Sequence, residues 1–94
     1  MKVRIQFEAQ LRQVAGYSEA EIDMPAEATV LDALKQQTSG DASELRGRMF
    51  SSEGGLLSTI LLFLNDQAVP VDQAATTVLS DGSTVLVLPP ISGG

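Results

Sequence analysis

Val3, Ile5 and Phe7 alternate with Lys2, Arg4, Gln6 and Glu8 at one end of this chain; at the other, Val85-Leu86-Val87-Leu88 runs straight into Pro89-Pro90. The first pattern is the period-two signature of a strand with one buried face. The second is a strand stopped abruptly, because proline has no N–H to give to a ladder and its φ is locked. Any fold must therefore place a strand near each end. Residues Glu19-Ala20-Glu21-Ile22-Asp23-Met24 alternate again, acids outward and apolar residues inward, until Pro25 ends the pairing. This segment is expected to form a hairpin with the first strand.

Between the end strands the pattern changes period. Thr29 offers a side-chain oxygen to cap a helix, with Asp32 three residues later as the reciprocal acid, and Val30, Leu31, Ala33 and Leu34 supply one apolar side. That helix is expected to end near Thr38, before Gly40. A second short helix is expected within residues 39–57, with Asp41 as its cap and Leu45, Met49 and Phe50 on one face; Gly54-Gly55 is the turn out of it. The run Ile60-Leu61-Leu62-Phe63-Leu64 is long enough for a strand, and its unbroken apolar character predicts that both faces are covered. Asn65-Asp66 and Ser80-Asp81-Gly82-Ser83 have turn chemistry, and Pro70 limits Ala68-Val69-Pro70-Val71 to a short edge segment.

Strand, strand, helix, then further strands is not the alternating order of a doubly wound sheet. It predicts an α+β domain in which a mixed sheet packs on one main helix, and a β-grasp, ubiquitin-like arrangement fits. There the first and last strands lie side by side at the sheet centre, which accounts for their apolar density. At 94 residues, 44% of them apolar, the chain supports one core, so residues 1–94 are expected to form a single domain with a flexible tail over 89–94.

Composition removes several classes of function. Without cysteine there is no thiol nucleophile, thiolate metal site or disulfide, and without histidine the Ser-His-Asp and Cys-His arrangements are absent and zinc loses its commonest ligand. The chain is expected to hold no metal and to be no enzyme. A net charge of −6, from twelve acids against six bases, disfavours nucleic acid and anionic membranes as partners. The N-terminus alternates instead of forming an apolar leader, and no run of about 18 apolar residues occurs, so a cytoplasmic protein is expected.

The sequence ends in Ile91-Ser92-Gly93-Gly94. A glycine tail can thread a narrow enzyme channel, since without Cβ it approaches other backbones closely. Taken alone it is as readily an ordinary chain end, because terminal residues of most domains are poorly ordered.

A wider pattern adds weight to the first reading. The segment Phe7-Glu8-Ala9-Gln10-Leu11-Arg12 with Ala15-Gly16, the Asn65-Asp66 turn, and Leu79-Ser80-Asp81-Gly82 leading through Val85 to Leu88 and on to Pro89-Pro90-Ile91-Ser92-Gly93-Gly94 resemble the MoaD/ThiS ubiquitin-like sulfur carriers. The match spans nearly the whole chain. Two positions depart from the pattern: Glu8 stands where molybdopterin-type carriers often have an aromatic residue, and Ser83 where an acid is common.

The resemblance implies that Gly94 is the reactive group. An E1-like adenylating enzyme would spend ATP to make its acyl-adenylate, and sulfur would then replace AMP as a thiocarboxylate. The chain would be a protein co-substrate with no permanently bound cofactor. It would hand its sulfur to a sulfurtransferase or synthase large subunit.

The ending looks most like the small subunit of molybdopterin synthase, which implies molybdenum-cofactor biosynthesis. The longer middle region, Leu45-Arg46-Gly47-Arg48-Met49-Phe50 through Gly54-Gly55, resembles carriers serving cysteine synthesis, with the thiamine branch a third option. A ubiquitin-like modifier would use the same activated tail. The resemblance places partner binding on Leu88, Pro89, Pro90, Ile91, Ser92 and Gly93, with Phe63 or Leu61 on the same exposed sheet face. For Leu88 and Phe63 core packing is the competing role, and Arg12, matching the family's Leu-Arg, is as readily a surface ion-pairing residue.

Overall fold

The computed structural model describes residues 1–90. Its strands are β1 (Lys2–Phe7), β2 (Glu19–Asp23), β3 (Leu61–Leu64), β4 (Gln67–Val69) and β5 (Ser83–Leu88). They form one mixed sheet in the order β2-β1-β5-β3-β4. The two end strands are neighbours, as expected: β1 and β5 run parallel, with Ile5 opposite Val85 and Phe7 opposite Val87. The remaining pairs, β1 with β2, β3 with β5 and β3 with β4, are antiparallel. This is the mixed β-grasp sheet.

The alternation in β1 and β5 aims Val3, Ile5, Phe7, Val85 and Val87 into one face, where all five are fully buried. Leu62, opposite Val87, extends the same layer. Complete burial of a side chain of this size stabilises by roughly 1.5–3 kcal/mol, so this layer is the main source of cohesion.

Three short helices close that face: α1 (Ala9–Ala15), α2 (Val30–Gln37) and α3 (Ser43–Met49). The longest is α2, with eight residues. Its start is the capping box read from the sequence: Thr29 Oγ1 accepts from the Asp32 amide at 3.2 Å, and Asp32 Oδ2 accepts from the Thr29 amide at 2.9 Å. Val30, Ala33 and Leu34 face the core, and the helix gives way at Thr38, whose hydroxyl donates back to the Leu34 carbonyl at 2.9 Å. The Val30 and Leu31 amides donate to the Thr77 and Ala74 carbonyls, which ties the helix to the loop before β5.

The structure corrects the sequence reading at three places. β1 and β2 pair antiparallel, as expected of the hairpin, but their connection over residues 8–18 carries α1, a helix not expected from the sequence. That helix buries Leu11, and Gly16 ends it in the left-handed region at φ 86°, its amide donating to the Arg12 carbonyl at 2.9 Å. Beyond it Tyr17 meets Phe7 edge to face, ring centres 5.8 Å apart. In α3 the cap position is Ala42, not Asp41, and no side chain bonds the first turn; Leu45, Met49 and Phe50 are buried as expected. Finally, the 60–64 run is not covered on both faces: Ile60 and Leu62 are buried, but Leu61 is 41% exposed. The helices cover one face of the sheet only, so alternate residues of β3 turn toward solvent.

Candidate functional site

The uncovered sheet face is built from the residues that alternate with the core. Arg4 and Gln6 lie between the buried residues of β1, Thr84, Leu86 and Leu88 between those of β5, and Leu61 and Phe63 on β3. Register joins them: Leu61 sits opposite Leu88, Phe63 opposite Leu86, and Leu86 beside Gln6. Phe63, Leu86 and Leu88 are half-buried. Below them Gln6, Phe63, Asn65, Asp66, Thr84 and Leu86 line a shallow hollow of about 320 Å³.

The β3–β4 turn that supports this strip is held from its side chain. Asn65 and Asp66 both have positive φ, 49° and 71°, the pair of values a two-residue hairpin of this hand requires. Asn65 Oδ1 accepts from the Thr84 amide at 2.9 Å while its own amide donates to the Thr84 carbonyl at 3.0 Å, so the turn is fastened to β5. Just ahead of the same end of β5, Asp81 Oδ1 accepts from the Lys2 amide at 2.7 Å and the Gly82 amide donates to the Lys2 carbonyl at 2.8 Å. Ser83, the departure noted in the sequence, is buried, and its hydroxyl accepts from the Ser80 amide at 3.0 Å. A carboxylate buried there would need a further donor.

Toward β2 the same face turns from apolar to charged. Lys2 Nζ lies 2.8 Å from Asp23 Oδ1, and Arg4 Nε 3.0 Å from Glu19 Oε2. The hydrogen bond from Lys2, reinforced by its charge, holds the Asp23 carboxyl below its ordinary 3.8, and Asp23 raises Lys2 above 10.5 by the same contact. The face is therefore a graded surface, ionic at β2 and apolar at β5 and β3.

Of the residues singled out in the sequence, Leu88, Phe63 and Leu61 come together on this face. Pro89 is half-buried and Pro90 exposed, immediately after β5 ends at Leu88. Ile91, Ser92, Gly93 and Gly94 lie outside the described residues. Arg12 is exposed on α1, in the helical layer and away from the strip. Leu86 was not singled out as a site residue; its position two before Leu88 on the same strand was the available signal. Among the described residues no three potential metal-ligating side chains gather, and no helix is long and apolar enough to cross a membrane.

Known proteins share this fold. A family model described as the ThiS family matches residues 5–94. Small archaeal modifier protein 1 of Haloferax volcanii is 33% identical over 86 residues, covering 92% of this chain and 93% of the relative. The crystal structure of SAMP1 from the same organism superposes with a TM-score of 0.88 at 30% identity, over the full length of both chains. A candidate molybdopterin converting factor subunit 1 of Pyrococcus furiosus gives a TM-score of 0.73 at 26% identity, covering 97% of this chain and 99% of the other.

Proposed function

This chain belongs to the ThiS family, of small ubiquitin-like proteins that act as carriers or modifiers, and we propose that it carries sulfur on the carboxylate of Gly94. In this reading an E1-like enzyme binds the open sheet face and takes the tail into its site. The Gly94 carboxylate attacks the α-phosphorus of ATP and pyrophosphate leaves. A sulfide-level nucleophile then attacks the acyl carbon, the C–S bond forms and AMP departs, leaving a thiocarboxylate.

The activation is needed because an α-carboxylate is ionised at neutral pH and its own charge repels a nucleophile, while it has no good leaving group. No cysteine in the chain competes for the sulfur or for the acyl group. The observation that carries the reading is the continuity of the apolar strip with the tail: Leu61 and Leu88 stand side by side where Pro89-Pro90 begins. A partner gripping that strip holds the root of the segment leading to Gly94. ATP is consumed by the partner, and this chain keeps no cofactor of its own.

For the recipient we propose the large subunit of a molybdopterin synthase, supported by the likeness to the Pyrococcus furiosus protein. The identity with small archaeal modifier protein 1 favours a second use, in which a lysine amine attacks the same acyl-adenylate and forms an isopeptide bond. Both begin with the same adenylate. Charged protein supplied to the synthase large subunit with precursor Z tests the first use by formation of the dithiolene product. Extracts probed for Gly94 linked to lysine test the second. A tagged chain lacking Gly93-Gly94 should support neither while remaining folded, and retention of either activity would refute the proposal.

A further inference from the structure

On the helical side, away from the open sheet face, a groove of about 710 Å³ lies between the end of α2, α3 and the loop that follows it. Lys35 and Arg46 both line it, with the hydroxyl-bearing Ser43, Ser51 and Ser52 and with Phe50 at its apolar side. This is unusual company in a chain with twice as many acids as bases. Among the described residues the ion pairs engage Lys2, Arg4 and Arg48; Lys35 and Arg46, like Arg12, stand outside them.

Arg46 is held in place, since its Nη1 donates to the Thr38 carbonyl at 2.6 Å. One donor is spent there and the remainder of the planar fork is left for another acceptor. The loop is shaped by backbone bonds, Ser51 amide to Gly55 carbonyl at 2.7 Å and Gly54 amide to Ser51 carbonyl at 2.9 Å, which bring Ser51 and Ser52 to the same groove.

We propose that this groove is a binding site for a small phosphate-bearing ligand with a compact apolar body. An ammonium, the free part of a guanidinium and three hydroxyls provide more donors than the two oxygens of one carboxylate can accept, and they suit the larger oxygen set of a phosphate. The volume lies within the range of small-molecule sites, and Phe50, only 8% exposed, adds a small apolar patch to the groove. Cations near the end of α2 also offset its negative dipole end, a purely structural role that requires no ligand. The two roles make different predictions.

The test is an amide NMR titration of the full chain with inorganic phosphate, with adenosine diphosphate and with a hexaglutamate peptide, each against sodium chloride at matched ionic strength. Phosphate or the nucleotide should produce saturable shifts confined to Lys35, Ser43, Arg46, Gly47 and residues 50–54. Lys35→Ala should weaken binding about tenfold with the helical content unchanged, the loss expected for one charge-assisted hydrogen bond. If Arg46→Ala loosens the end of α2, Lys35→Ala and the charge-preserving Arg46→Lys still decide the matter. Shifts reproduced by chloride, shifts unaffected by Lys35→Ala, or binding of the acidic peptide alone would overturn the proposal.

Discussion

Leu61 and Leu88 face each other across the β3–β5 ladder on the sheet face that the helices leave open, one position before the chain turns into Pro89-Pro90. The pair thus marks the place where the globular body ends and the tail begins. Cross-strand pairs of this kind contribute about 0.2–1 kcal/mol to a sheet, and with Leu61 41% exposed its main value is as contact surface.

Replacing Leu61 by Ser should therefore separate docking from folding. Stability measured by urea denaturation should fall by no more than about 1 kcal/mol. The rate at which an activating enzyme charges the variant should drop about tenfold or more, as for an apolar anchor at an interface centre. Unchanged charging kinetics would remove Leu61 from the docking surface.

The capping box makes a second prediction. Thr29→Ala leaves the Asp32 amide without its acceptor at the head of α2. The expected loss is about 1 kcal/mol, which for a domain of this size lowers the melting temperature by roughly 4–8 °C. Asp32→Ala should act on the same pair, so the double variant should lose less than the sum of the two. Additivity in a thermal-denaturation cycle would contradict the reciprocal bond.

That box was readable because a threonine and an acid three residues apart are a local signal. So were the Asn65-Asp66 and Asp81-Gly82 turns and the strand at Val3, Ile5 and Phe7, where period and burial coincide. The start of α1 was not, because Glu8 makes no side-chain cap bond and Ala9 enters the helix with φ 53°, so nothing at that junction announces a helix. The spacing of Leu11, Val14 and Ala15, followed by Gly16, was the fainter sign. At α3 no side chain caps the first turn, so Ala42 leaves no local mark in the sequence of where the helix begins, whereas Asp41 beside it has the chemistry of a cap.

The apolar run at 60–64 failed for a different reason. An unbroken apolar row implies burial on both faces only when both faces meet protein. Here one face meets helices and the other carries the candidate docking strip, so function and core look identical in composition. Family resemblance, not periodicity, pointed to Leu61, Phe63 and Leu88.

Acid should reveal the Lys2–Asp23 pair. Asp23 titrates below its ordinary 3.8, so its contribution to stability is present above that value and disappears as pH falls through the lowered folded pKa. Lys2 titrates above 10.5, so its contribution is present below that value and is lost only as pH rises through the raised one. Both groups are exposed, and the effect should be small and fade in high salt. Wild type and Asp23→Asn should therefore differ at neutral pH and low salt and converge in strong acid. A difference that persists in strong acid would point to some other role for Asp23.

The core layer predicts a much larger effect. Phe7 is fully buried and meets Tyr17, whose hydroxyl accepts a hydrogen bond from Gln37 Nε2 on α2, so Phe7→Ala opens a cavity in the core beside that contact. A loss of about 3–5 kcal/mol is expected, against a total of about 5–15 kcal/mol for a typical domain. Urea midpoints for the two proteins measure it directly, and a loss below about 1 kcal/mol would mean the site collapses without a cavity.

In the proposed function the body serves to offer Gly94 for charging. Intact-protein mass spectrometry after incubation with ATP, sulfide and a ThiS-type activating enzyme tests it most directly. The predicted result is a mass gain equal to replacement of one oxygen by sulfur, localised to Gly94 by fragmentation and absent when ATP is omitted. An unchanged mass, with the same enzyme charging a control carrier in the same tube, would contradict it.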